Sequence, residues 1–223
     1  MYKKGCETMN PMVFLNIAWM ERYEGLIGDD IEISSGGSYV KEHGYGHEIF
    51  NFKNINEKVY GYVQPPGGSL NISRLGASKD DECIENVLAV FTAAHKDGGT
   101  YIVGWYKNAT FYKDYQNIEL PERKFRNEYF GYYAIADADN ATLLSLDERR
   151  SFPEIPRRKK GGMGQSNVWY ADSAEMTNFK REILNNIEKH EKKKSIRNKY
   201  TRSHQVDIEK KEKSGINCYQ RGH

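Results

Sequence analysis

Cysteine is scarce in this chain. Cys6, Cys83 and Cys218 are odd in number and far apart. That excludes a disulfide framework and a cysteine-based zinc site, and it fits a reducing cytosol. Long apolar runs are missing as well, so no membrane-spanning helix is expected. The stretch Met12 to Met20 is apolar but short, is interrupted by Asn16 and lacks a small-residue cleavage site, so it does not read as a signal peptide. With no secretory signal, the sequons at Asn71, Asn108 and Asn140 read as accidental and a cytoplasmic location is expected. Enzyme signatures are also lacking. There is no Gly-x-Ser-x-Gly elbow, no Cys/His nucleophile set and no HNH zinc-type nuclease pattern. Neither a metal nor a cofactor is expected.

Aromatic side chains are plentiful, at 13% of the 223 residues, beside a hydrophobic fraction of 38% and a charged fraction of 29%. Large rings build a core from few residues because each buries much surface. The length allows one ordinary domain plus an appendage. Charge divides along the chain: residues 180–223 hold 13 Lys+Arg against 6 Asp+Glu, leaving 20 against 25 in the rest. A basic tail on an acidic body reads as an interaction arm or a linker.

Strand signals dominate the body. Met12 onward reads as a strand followed by a short helical turn over Trp19 to Leu26. Ser34 to Ser38 is a loop, and Gly46 to Phe52 a strand. Val59-Tyr-Gly-Tyr-Val-Gln64 alternates and stops at the turn Pro65-Pro-Gly-Gly68. The apolar run Asn86 to Ala94, the tight turn Lys96-Asp-Gly-Gly99 and the returning run Thr100 to Tyr106 form the most secure hairpin. Asn108 to Tyr115 and Tyr129 to Ile135 read as further strands. Strands at this spacing suggest a small β-barrel or a strongly curved mixed sheet. Leu143 to Arg150 reads as a short helix, and Gln165 to Tyr170 as a strand or strand end. Asp172 or Ser173 can cap a helix through Phe179, Ile183, Leu184 and Ile187 that docks on the body. The expected class is α+β, with flanking helices and a basic C-terminal helical tail. The expected domain is 12–188, with 189–223 as the tail.

Three segments could carry chemistry. Arg157-Arg158-Lys159-Lys160 runs into Gly161-Gly-Met-Gly164, and consecutive glycines beside four cations suit a phosphate. The Gly-Lys-Ser/Thr ending of a P-loop is missing, and the same residues also read as an ordinary solvated loop. Aromatic residues stand beside amides in three places: Asn16 with Trp19; Trp105 and Tyr106 with Asn108; and Gln165, Ser166 and Asn167 with Trp169 and Tyr170. Rings stack on bases and amides read base edges, although Trp and Tyr in strands are also ordinary core residues. In His43-Gly-Tyr45-Gly-His47-Glu48 the histidine spacing is that of a zinc site, but Gly44 and Gly46 oppose the continuous helix that site needs, so the segment, with Tyr45 and His47, reads better as a hydrogen-bonding pocket edge or as a satisfied structural pair. Asp29, Asp30 and Glu48 could be assembled into a metal site, as some carboxylates could in any chain with 31 of them.

The runs Phe14-Leu-Asn-Ile-Ala-Trp-Met20, Gly46-His-Glu-Ile-Phe-Asn-Phe52, Val59-Tyr-Gly-Tyr-Val63, Gly98 to Ala109 and Gly161 to Ala171 resemble the N-terminal region of bacterial defence and restriction-type proteins, in which a nuclease-like domain often follows. That region is similar to PUA-like readers, the superfamily of the EVE, YTH and SRA domains. The resemblance implies a small β-barrel with an aromatic pocket for a modified base. His204-Gln-Val-Asp-Ile-Glu-Lys-Lys-Glu212 resembles the lead-in to the next domain, yet residues 189–223 are fewer than the ~50 a domain needs. Nuclease activity is therefore expected in a missing domain or a partner protein. The reading is a DNA-binding domain that flips a modified base into an aromatic pocket in host defence, with RNA as another possible ligand. The rivals are a metal-dependent nuclease or nucleotide-processing enzyme, and a protein-interaction module.

Overall fold

The computed structural model describes residues 10–27 and 46–197. The loop expected at Ser34 to Ser38, the candidates Asp29, Asp30, His43 and Tyr45, and the tail beyond 197 lie outside the described residues. The apolar run at Val87 to Phe91 lies in the strand Cys83–Ala94. It turns through Gly98 and Gly99, whose φ of 100° and 80° suit residues without a Cβ. The strand Thr100–Gln116 then returns antiparallel, with Ala94 opposite Thr100 and Val90 opposite Trp105. The expected break before Asn108 does not occur. Asn86 and Asn108 take up φ of 60° and 51° where the ladder register shifts. Asn tolerates this region better than most residues, and such bulges bend and twist a strand without ending it.

In chain order the strands are β1 Met12–Ile17, β2 Lys58–Gly61, β3 Cys83–Ala94, β4 Thr100–Gln116, β5 Lys124–Phe125, β6 Glu128–Tyr129, β7 Tyr132–Asp137, β8 Ala141–Leu143 and β9 Val168–Trp169. Seven of them make one mixed sheet of order β2-β7-β4-β3-β1-β9, with β8 on β4. β1 runs parallel to β3, and the other pairings are antiparallel. β5 and β6 form a separate small hairpin. The fold is α+β, as expected, and the sheet is mixed, but no closed barrel forms among the described residues. Among the described residues β2 and β9 end the main path, with β8 a further edge on β4, and the path stops at the two-residue β9. Helix α1, Leu146–Arg149, starts at a Ser145–Glu148 capping box, and helix α2 covers 177–197. The chain divides into two units, Met1–Thr177 and Asn178–His223.

Two local expectations are corrected. Trp19 to Leu26 forms no helical turn. Tyr23, at φ 55°, folds back so that its hydroxyl donates to the Ala18 carbonyl (2.7 Å) and accepts from the Met20 amide (3.2 Å), replacing backbone partners. Gly46 to Phe52 is a 3-10 turn at His47–Phe50 and not a strand. Its polar side chains turn to the neighbouring backbone: Asn51 bonds Tyr62 in both directions at 2.8 Å.

Both faces of the sheet are covered. Residues paired across a ladder project to the same side. Val13, Leu15 and Ile17 of β1 and Ala89, Phe91 and Ala93 of β3 enter the main core with Tyr23, Phe50, Phe52, Tyr106, Phe111 and Phe130. The alternate residues Phe14, Val90, Trp105 and Trp169 form one row across the other face. Phe14 and Trp169 pack with tilted rings at 4.9 Å, and Phe152 lies 5.6 Å from Trp105. The segment after α1 crosses this face, where the Ile155 amide bonds the Thr100 carbonyl at 2.9 Å.

Two buried arginines tie the main core together. Arg123 is fully buried, and its guanidinium donates to four carbonyls: Phe130 (2.8 Å), Gly131 (2.9 Å), Tyr60 (2.9 Å) and Phe50 (3.2 Å). Burial pulls its pKa down to about 10, which leaves it charged at neutral pH. Arg149, also fully buried, donates to Met20, Glu21 and Leu144 and lies over the Trp19 ring. Tyr106 is the opposite case. Its hydroxyl is buried and makes no hydrogen bond among the described residues. Tyr106→Phe is therefore expected to raise stability by about 1 kcal/mol, since the desolvated hydroxyl is removed at almost constant volume. Urea unfolding checks this, and a loss of stability would show that the hydroxyl has a partner.

Candidate nucleic-acid interface

β1 ends beside the segment that crosses the second face, and this meeting builds the candidate site. The segment from Pro156 to Gly164 closes on itself. The Met163 amide bonds the Pro156 carbonyl (2.9 Å), and the Gly164 amide bonds the Arg157 carbonyl (3.0 Å). Gly162 makes that closure possible, because a Cβ there would stand 2.1 Å from the Pro156 oxygen. The closed loop projects Arg158, Lys159 and Lys160 into solvent. Arg157 is half-buried and held. Its Nε donates to the Gly164 carbonyl (2.8 Å), and its Nη1 donates to Asn16 Oδ1 (3.0 Å).

Asn16 in turn donates through Nδ2 to Asn167 Oδ1 (3.3 Å), while its backbone amide bonds the Asn167 carbonyl (2.8 Å). Asn167 Nδ2 continues the line to the Gln64 carbonyl (3.3 Å), and the Gln64 side chain accepts from the Tyr62 hydroxyl. The result is a run of polar groups Tyr62–Gln64–Asn167–Asn16–Arg157. Burial lowers the Arg157 pKa below its ordinary value, yet guanidinium stays charged in proteins. A charged fork with two of its donors committed is pre-oriented for an anion.

Arg157, Arg158 and Lys159 line a cleft of about 680 Å³, with Glu154, Ile155 and Pro156 on the same wall. The β3–β4 turn also lines it through Ala94, His95, Gly98, Gly99 and Thr100. Lys160 is drawn aside by Glu175 at 2.8 Å. Trp19 meets the His95 ring edge-on at 4.8 Å, so this half-buried ring sits next to a cleft residue.

The other sequence candidates do not gather here. Trp105 and Tyr106 are completely buried and lie on opposite faces of the sheet. Asn108 is exposed at the β4 bulge. Trp169 is buried against Phe14, with its indole donating to the Gly161 carbonyl (3.0 Å). Ser166 caps its own strand through the Val168 backbone, and Gln165 is exposed. The three tryptophans therefore share no open pocket.

His47 belongs to a separate aromatic group. Its ring stacks on Phe130 (4.3 Å, 8°) and lies 4.8 Å from Tyr62, and its Nδ1 is 3.3 Å from the Tyr115 hydroxyl. Burial pushes the imidazole pKa down, Glu128 opposes the shift and Arg123 adds to it, so the ring is neutral at pH 7. His47, Tyr62 and Tyr115 are each half-buried. Glu48, next in the chain, accepts from the Ala18 amide (3.4 Å), and burial pushes its carboxyl up. Among the described residues, no three His, Cys, Asp or Glu side chains are grouped to hold a metal ion. No described helix is long and apolar enough to cross a membrane.

His95, Gly98, Gly99 and Glu154 were missed by sequence reasoning, although the Lys96-Asp-Gly-Gly99 turn was legible. Gln64 and Tyr62 were likewise hidden inside an ordinary strand pattern. Compared with family models, with curated proteins and with solved structures, the chain matches none.

Proposed function

We propose that this chain is a nucleic-acid-binding domain of the PUA-like kind that seats a DNA phosphate at the Arg157 cleft and reads a modified base nearby, in a host-defence setting. The observation that carries the reading is the Arg157 guanidinium, latched by Asn16 and Gly164 at a cleft shared with Arg158 and Lys159. Fixed cations position a nucleic acid through its phosphates, while specificity comes from base contacts. The base-reading role passes from Trp105, Tyr106 and Trp169, which are buried, to the half-buried His47, Tyr62 and Tyr115. Gln64 supplies the amide beside them and joins them through Asn167 and Asn16 to Arg157. Strand cutting is assigned to a partner or a further domain.

The test compares duplexes of one sequence carrying unmodified, methylated or hydroxymethylated bases. One modified duplex is expected to bind at least about ten-fold more tightly, a difference of ~1.4 kcal/mol. Equal affinity for all of them would remove the base-reading role. A preference for single-stranded RNA would transfer the reading from DNA to RNA.

A further inference from the structure

We infer that the Arg157 cleft prefers a phosphate monoester, the dianion at the end of a strand or on a free nucleotide, over the internal phosphodiesters of a backbone. The inference rests on the nucleic-acid reading above and narrows its ligand. It starts from how the cations are spaced. Each strand of a duplex carries one negative charge per ~3.4 Å of helix axis, so a surface that follows it spreads its cations along a stripe. Here Arg157, Arg158 and Lys159 are consecutive and line one cleft, while Lys160 is paired with Glu175. Several cations around one volume match one group of charge near −2, which a monoester carries at pH 7 because its second pKa is ~6.

Size and composition agree with a discrete ligand. The cleft volume of about 680 Å³ falls within the ~300–1,000 Å³ of small-molecule sites. Glu154 shares the wall with the cations. A carboxylate there can accept a hydrogen bond from a sugar hydroxyl or a base amino group of a ligand whose phosphate sits at the cations. Residues outside the 180–223 segment carry more acid than base, which also disfavours tracking along a backbone.

The test uses one oligonucleotide sequence with a 5′-phosphate or a 5′-hydroxyl, with AMP and adenosine as competitors, and the whole chain. The phosphorylated strand is expected to bind at least about ten-fold more tightly, and Arg157→Ala should bring the two strands level. The exposed pair Arg158→Ala and Lys159→Ala provides a second variant if Arg157→Ala weakens the fold. Displacement by AMP and not by adenosine would extend the site to free nucleotides, and failure of AMP to compete would confine it to strand ends; the monoester preference stands in both cases. Equal affinity for the two strands, with both weakened by Arg157→Ala, would overturn the monoester preference and leave the nucleic-acid reading intact. Binding of neither strand and no binding of AMP would overturn both.

Discussion

Arg123→Met should cost about 3–5 kcal/mol of folding stability, enough to unfold many single domains of this size at body temperature. The substitution keeps much of the side-chain volume but strips the donors from four carbonyls, those of Phe50, Tyr60, Phe130 and Gly131. Those carbonyls belong to the 3-10 turn, to β2 and to the approach to β7, three parts of the chain that this one guanidinium holds together. Arg123→Lys keeps the charge but offers a single point of donation in place of a planar fork, so it should recover little. Guanidinium chloride unfolding followed by far-UV circular dichroism measures both variants. A loss below ~1 kcal/mol for Arg123→Met would show that the carbonyls find other partners.

The second large effect concerns binding. Arg157→Ala should weaken DNA about ten- to hundred-fold, the range set by the ~1.5–3 kcal/mol of a hydrogen bond to a charged group. Asn16→Ala leaves the charge in place and removes one of its latches, so a loss of several-fold is expected. Lys160→Ala should change affinity little, because Lys160 projects into solvent and does not line the cleft. The graded order Arg157, Asn16, Lys160 separates a built site from a diffuse basic loop, in which all cations would count alike.

Local signals were legible in the sequence, and distant pairings were not. The β3–β4 hairpin follows from an apolar run, a Lys96-Asp-Gly-Gly99 turn and a returning run, all within neighbouring residues. The parallel pairing of β1 with β3 joins segments some seventy residues apart, and nothing local marks it. Asn108 read as an amide next to a pair of rings, and it is the residue that lets β4 bend. Of the two architectures the strand spacing suggested, a small barrel or a curved mixed sheet, the described residues form the mixed sheet, and one bulged 17-residue strand replaces the two that were expected there.

Burial was the other blind spot. Arg123 and Arg149 sit in Pro-Glu-Arg-Lys and Asp-Glu-Arg-Arg, which look like solvated surface, yet both are among the most enclosed side chains in the chain. Their acceptors are main-chain carbonyls, which carry no sequence signature. Aromatic richness misled in the opposite direction. Trp105 and Trp169 serve the second sheet face, while His47, Tyr62, Tyr115 and Trp19 are among the half-exposed rings. The basic glycine loop read correctly as a loop, but the β3–β4 turn that lines the cleft with it emerges only when the chain is folded.

The salt dependence of affinity for a 5′-phosphorylated duplex, measured for the natural chain and for Arg157→Ala, tests the phosphate site most directly. Binding should tighten as salt falls, and the variant should lose affinity together with roughly one phosphate contact's worth of slope, ~0.9 in log–log terms. Identical slopes and affinities for the two proteins, or no duplex binding even at low salt, would contradict the assignment of Arg157 to a nucleic-acid phosphate.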